Sequence, residues 1–157
     1  VWVTDIETLE DNQHFISAQK KKKNKEKLAL DFNQKINSIF TEIEILNPKK
    51  AAYLIWKNPY MTIGGDTFIN EILTKLGFEN IFKNRKRYPE ISMDELQMAD
   101  VIFLSTEPFP FQQKHIDEVR KEFPAKEIRL VDGEAFSWFG SHLMKVEHYL
   151  KALSLQS

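Results

Sequence analysis

Cysteine is absent from the 157-residue chain, which excludes disulfide frameworks, zinc–cysteine sites and thiol catalysis together. The same absence is compatible with an oxidising compartment. Charge of one sign is also lacking. With 22 basic and 23 acidic residues the net charge is −1, so no strong global field draws in nucleic acid or an anionic membrane surface. No apolar run approaches the ~20 residues needed to span a bilayer. Glycine and proline are few, 5 and 6. Together with 42% apolar and 29% charged residues, this excludes collagen, disordered tails and low-complexity linkers. The length suits one ordinary domain. The chain opens at Val1 without an initiator Met or a signal peptide, and reads as a mature protein or a piece of one.

What is present divides near residue 48. Residues 5–47 hold no Gly and no Pro, the two strongest breakers. Thr8 and Asp11 have the spacing of a capping pair, opening a first helix over about 9–22 with Leu9, Phe15 and Ile16 as a thin apolar stripe. A lysine-rich stretch, Lys20–Lys27, interrupts it. Having no interleaved aromatic for base stacking, it suits a solvated junction better than a nucleic-acid site. Leu28, Phe32, Ile36, Ile39, Phe40 and Ile43 then fall on one helical face, predicting a helix over 25–45. From residue 49 short apolar runs alternate with helical patterns. Strands are expected at 51–56, 101–104 and 128–131, and helices after Asp66-Thr67, after the Ser92-Met93-Asp94-Glu95 capping box, near 112–122 and over 140–153. Gly77 supplies a C-terminal stop. Continuous apolar strands, each followed by a helix, predict an α/β fold, a Rossmann-like lobe with a parallel sheet and helices on both faces.

In such a sheet ligands bind beyond the carboxyl ends of the strands, here Lys57–Gly65, Thr106–Phe111 and Asp132–Phe139. These loops carry Tyr60 and Met61, then Phe109 and Phe111, then Phe136, Trp138 and Phe139. Tyr88-Pro89 lies where it could reach the same edge. Turn-making loops favour small polar residues, and large rigid rings suit a flat, partly apolar ligand, although some rings would also close the top of the core. Gly64-Gly65-Asp66 lacks the spacing of a phosphate-binding motif and is expected to be a tight turn with Asp66 as N-cap. Catalytic signals are weak. Ser105, His115 and Asp132 are available, but no Gly-x-Ser-x-Gly elbow exposes a serine. The four histidines (His14, His115, His142, His148) lack metal-site spacing. Glu107, Asp132 and Glu134 could form a carboxylate pair at the strand ends, but suit polar ligand contacts better than acid–base work. No cofactor and no metal are expected.

Several segments together resemble a known family. They are Tyr53-Leu54-Ile55-Trp56-Lys57-Asn58-Pro59-Tyr60-Met61, Gly64-Gly65-Asp66-Thr67-Phe68-Ile69-Asn70, Leu76-Gly77 with Asn80-Ile81-Phe82, Tyr88-Pro89-Glu90-Ile91-Ser92, Ala99-Asp100-Val101-Ile102, and Asp132-Gly133-Glu134 with Phe136-Ser137-Trp138-Phe139-Gly140. These are similar to the C-terminal lobe of periplasmic substrate-binding proteins of ABC importers for vitamin B12, ferric siderophores and haem. The resemblance implies that 1–48 is a strand remnant and helical backbone connector, that 49–157 is the ligand-binding lobe, and that a complete N-terminal lobe is missing. It implies a periplasmic or extracytoplasmic protein, lipid-anchored in its full-length form. The ligand-binding residues it implies, with the aromatic loops, are Tyr60, Met61, Tyr88, Phe109, Phe111, Glu134 and Trp138. Asp94 and its neighbour Glu95 would dock on a membrane permease. A corrinoid suits the aromatic loops best. Haem would find an axial ligand in Tyr60, Tyr88 or His142, and a ferric siderophore would want more Arg or Lys than Lys57 alone. The other readings are a small α/β enzyme using Asp132 or Glu134, and a stand-alone interaction domain. Trp2, Phe15 and Ile16, left without neighbours, would favour self-association through residues 1–20.

Overall fold

In the computed structural model, residues 8, 10, 11, 14, 38, 40, 48–137 and 146–154 are described. Strand β1 (Lys49–Trp56) is the hub of a five-stranded sheet. On one side it pairs in parallel with β4 (Val101–Ser105), which pairs in parallel with β5 (Glu127–Val131). On its other side it pairs with two short strands. β3 (Phe78–Asn80) runs parallel to the start of β1, and β2 (Met61–Thr62) runs antiparallel to its end. The sheet is therefore mixed. Its three long strands fall where the apolar runs predict, but the two short ones do not announce themselves in the sequence. A segment of two residues carries no periodicity, and Met61–Thr62 lies inside the stretch expected to be loop.

Alternation along the strands divides the core between the two faces of the sheet. Ala51, Tyr53, Ile55, Val101, Phe103 and Val131 pack on one side with Phe40, with α1 (Phe68–Lys75), with α3 (Gly133–Ser137) and with α4 (Glu147–Ser154). Ala52, Leu54, Ile102, Leu104 and Ile128 pack on the other with a 3₁₀ helix (Met93–Met98) and with α2 (Gln113–Glu122). Burial on both faces is why these strands are continuously apolar. Phe40, helical and 8% exposed, takes the core place that its stripe predicts. The rest of that stripe lies outside the described residues, as does the expected helix over 9–22 apart from Glu10 and Asp11 of its first turn and His14. Of that first turn the cap is described: the Asp11 amide donates to Thr8 Oγ1 and the Thr8 amide to Asp11 Oδ2, each at 3.0 Å.

Two local expectations need correction. The N-cap of α1 is Thr67, whose Oγ1 accepts from the Asn70 amide at 3.2 Å. Asp66 instead accepts from the Arg87 backbone amide, tying the turn to a segment that the sequence places no nearer. The Ser92 box opens the short helix expected of it, in 3₁₀ form. The connection after β5, expected to be loop, winds into α3. Gly77 has φ 88°, the left-handed conformation that ends a helix most easily at glycine. None of the described helices is long and apolar enough to cross a membrane.

Candidate functional site

The carboxyl ends of β1, β4 and β5 open on one edge of the sheet, and backbone pairing fixes the order of residues along it. Segment 85–91 runs beside residues 60–65. The amides of Thr62, Gly64 and Gly65 donate to the carbonyls of Pro89, Arg87 and Arg85 at 3.0, 2.7 and 2.9 Å, and Ile91 donates back to Tyr60 at 2.9 Å. This approach explains the glycine pair. A Cβ on Gly64 would lie 2.3 Å from the Arg85 carbonyl oxygen, and one on Gly65 2.1 Å from that of Lys83. Met61 faces Glu90 on one side and Trp56 on the other. Across β1 the Phe109 amide donates to the Ile55 carbonyl at 3.2 Å. The sheet edge therefore runs from the Tyr88 segment through Met61 and Trp56 to Phe109.

Among these, Tyr88 is 49% and Trp56 40% exposed, while Tyr60, Met61 and Phe109 are half-buried. Phe109 meets Trp56 edge to face at 5.7 Å and Phe111 at 4.7 Å. Phe111 is 2% exposed and belongs to the core, so Phe109 alone of the pair reaches the surface. Burial pushes the Tyr60 phenol above its usual range. Beside it, Lys57 is ion-paired with Glu118 of α2. That hydrogen bond raises the Lys57 ammonium and holds the Glu118 carboxyl low. Trp56 is the ring that sequence reasoning missed. As the last residue of an apolar run it looks buried, and only the end of the sheet turns it outward.

The third loop is built on small contacts. Tyr53 Oη donates to Ser105 Oγ at 3.1 Å, and Ser105 Oγ donates to the Glu107 carbonyl at 2.6 Å. The Gly133 amide donates to Thr106 Oγ1 at 3.0 Å, and the Asp132 amide to Tyr149 Oη at 2.9 Å. Asp132 Oδ1 accepts from the Glu134 amide at 3.0 Å and so caps α3. Glu134 is half-buried at that edge; Trp138 and His142 lie outside the described residues. Ser105, His115 and Asp132 each have separate structural work. His115 Nδ1 accepts from the Gln112 amide at 2.9 Å, at the start of α2. Among the described residues no group of His, Cys, Asp or Glu is placed to hold a metal ion.

Asp94 and Glu95 lie on the 3₁₀ helix, where they divide their work. Glu95 Oε2 accepts from the Ser92 amide at 3.0 Å, and its other oxygen pairs with Arg85. The hydrogen bond from the Ser92 amide, helped by Arg85, holds the Glu95 carboxyl below the usual range. Asp94 is exposed and has no partner among the described residues.

No protein-family profile and no curated protein matches the chain. Solved structures do. The vitamin B12 binding protein BtuF of Vibrio cholerae superposes with a TM-score of 0.77 at 16% identity, over 99% of this chain and 64% of its own. A possible iron-binding periplasmic solute-binding protein of Staphylococcus epidermidis gives 0.74 at 18%, over 98% and 64%. The heme binding protein HutB of Vibrio cholerae gives 0.62 at 21%, over 92% and 60%. The chain thus spans less than two thirds of each of these proteins. At these identities the likeness concerns the fold, and the fold of this chain is that of one lobe of the periplasmic substrate-binding proteins for vitamin B12, iron and haem.

Proposed function

We propose that the chain is the ligand-binding lobe of the solute-binding component of an ABC import system. It works outside the cytoplasm, performs no chemistry on its ligand, and delivers it to a membrane permease. The observation that carries this reading is the edge of partly exposed rings, Tyr88, Trp56 and Phe109 with Tyr60 and Met61 between, beyond the carboxyl ends of the strands. Partly exposed rings in one row, with Tyr60 and Phe109 backed by the core, suit a large, flat, cofactor-like ligand. A corrinoid is the first choice, with haem and ferric siderophores as the other members of the class. Glu134 supplies a polar contact, and Trp138 a further ring from the segment that follows it in sequence. Asp94 is the permease contact, because an exposed carboxylate steers encounter while leaving release easy. Glu95, already committed to Ser92 and Arg85, shapes the helix that presents it. The enzyme reading is disfavoured by the use of Asp132 as a cap.

The test is a spectral titration of the natural protein containing this chain with cobinamide, cobalamin, haemin and ferric siderophores. Stoichiometric binding of one class, weakened at least about tenfold (about 1.4 kcal/mol) by Tyr88→Ala, supports the reading. Turnover that depends on Asp132 or Glu134 would replace it with the enzyme.

A further inference from the structure

His115 lies behind the ring edge rather than on it, and its contacts lead there. It is 7% exposed and occupies the third position of α2, where a Glu or Gln commonly reaches back to the cap amide. Here the imidazole does so, with Nδ1 accepting from the Gln112 amide at 2.9 Å. An acceptor nitrogen carries no proton, so geometry assigns His115 the neutral form with its hydrogen on Nε2. The ring packs against Phe109 at 5.4 Å and Phe111 at 5.5 Å. Phe109 in turn stands edge-on to the exposed Trp56 at 5.7 Å. One imidazole thus joins the start of α2 to the outermost ring of β1 through a single intervening side chain.

We propose that His115 is a positioning residue for the Trp56–Phe109 face, holding it in place while neutral and releasing it when protonated. The inference rests on the reading of that face as the ligand edge. Protonation turns Nδ1 from acceptor to donor, so it opposes the Gln112 N–H it now receives. It also places a cation among Phe109 and Phe111 at a helix N-terminus, the end that disfavours positive charge. The charged groups around it are Lys57 from the β1–β2 connection and Lys114 and Glu118 from α2. Both lysines oppose the imidazolium. Glu118 favours it but is already paired with Lys57. Burial, with Lys57 adding to it, lowers the His115 titration below its ordinary value. The native contact is fully present above the ordinary histidine value of about 6.5 and is lost as pH falls through the lowered one. Ligand affinity should fall over the same interval.

The test begins with the ligand-free chain, by following the His115 ring and the Trp56 indole N–H in an NMR pH titration, with the indole assigned through Trp56→Phe. The expected result is one shared midpoint below about 6.5. In His115→Asn, whose side-chain oxygen can still accept from Gln112, the Trp56 transition should vanish and its neutral-pH resonance should stay near the wild-type position. In His115→Phe, which fills space without an acceptor, that resonance should be displaced at every pH. With haemin or cobinamide as probe, wild-type affinity should fall by up to about tenfold per pH unit below the midpoint, and His115→Asn should lose this dependence. A Trp56 resonance indifferent to His115 protonation overturns the proposal, as does an unchanged pH dependence in His115→Asn. If neither these probes nor a ferric siderophore binds at any pH, the ligand-edge reading fails, while the Trp56 titration still decides whether His115 positions that ring.

Discussion

Gly133→Ala should damage the fold through identifiable close contacts, the nearest with Ser105. A Cβ at Gly133 would stand 2.5 Å from Ser105 Oγ and 2.8 Å from the Glu107 amide nitrogen. Ser105 cannot yield easily, because its hydroxyl takes the Tyr53 phenol and gives to the Glu107 carbonyl. Tyr53 is fully buried, so a displaced serine leaves its O–H without a partner, at about 1–3 kcal/mol. Overpacking adds about 1–3 kcal/mol. The expected loss of about 2–6 kcal/mol is a large share of a domain's usual 5–15. Ser105→Ala alone should cost about 1–3 kcal/mol, because it too strands the phenol. Once the hydroxyl is gone, however, the new methyl at position 133 meets less resistance. Urea unfolding of the two single variants and the double variant should therefore give a favourable coupling of about 1–3 kcal/mol. Losses that simply add, within about 0.3–0.5 kcal/mol, would refute this account of how the third loop is held.

Phe103 is fully buried and meets Phe78 edge to face at 5.0 Å, so Phe103→Ala should cost about 3–5 kcal/mol in urea unfolding. Trp56→Ala, at a position 40% exposed, should cost much less stability and more ligand affinity; the reverse pattern would make Trp56 a core ring. Glu95→Ala removes the acceptor for the Ser92 amide and should lose about 1 kcal/mol, whereas Asp94→Ala should stay within about 0.5 kcal/mol of wild type. Because the Glu95 carboxyl titrates low in the native state, its contribution is complete above about 4.5 and disappears as pH falls through the lowered value. Glu95→Gln should therefore flatten the acid limb of a pH–stability curve. Gly65→Ala, with its Cβ 2.1 Å from the Lys83 carbonyl, should lower stability by about 1–3 kcal/mol.

Much of this arrangement is legible in the sequence because burial on both faces writes continuous apolar runs. β1, β4 and β5 are found that way, and Phe103 is correctly expected in the core. Long-range backbone pairing leaves no such trace. Nothing in Arg85-Lys86-Arg87-Tyr88 says that these residues will lie along Gly64 and Gly65, yet that pairing brings Tyr88 to the ring edge. The strand-end rule gathers Tyr60, Met61, Phe109 and Glu134 on one side from topology alone. It cannot distinguish a ring that reaches solvent from one that does not, which is why Phe111 looks like Phe109 until its burial is known. Trp56 fails in the opposite direction. It continues the apolar run that identifies β1, and its exposure depends on the strand ending there. Capping residues are legible by type but not by partner: Thr67 takes the cap expected of Asp66, and Asp66 holds Arg87 instead.

The central claim is that the lobe takes its ligand on the ring edge at the carboxyl ends of the strands. The most direct measurement is an amide and indole chemical-shift map of the protein titrated with whichever corrinoid, haemin or ferric siderophore binds it. The account predicts the largest shifts at Trp56, Tyr60, Met61, Tyr88, Phe109 and Glu134. Little change should appear at the opposite edge, where Asp100, Phe123 and Lys126 line a surface groove. Shifts concentrated at that groove, with Trp56 and Tyr88 unmoved, would contradict it.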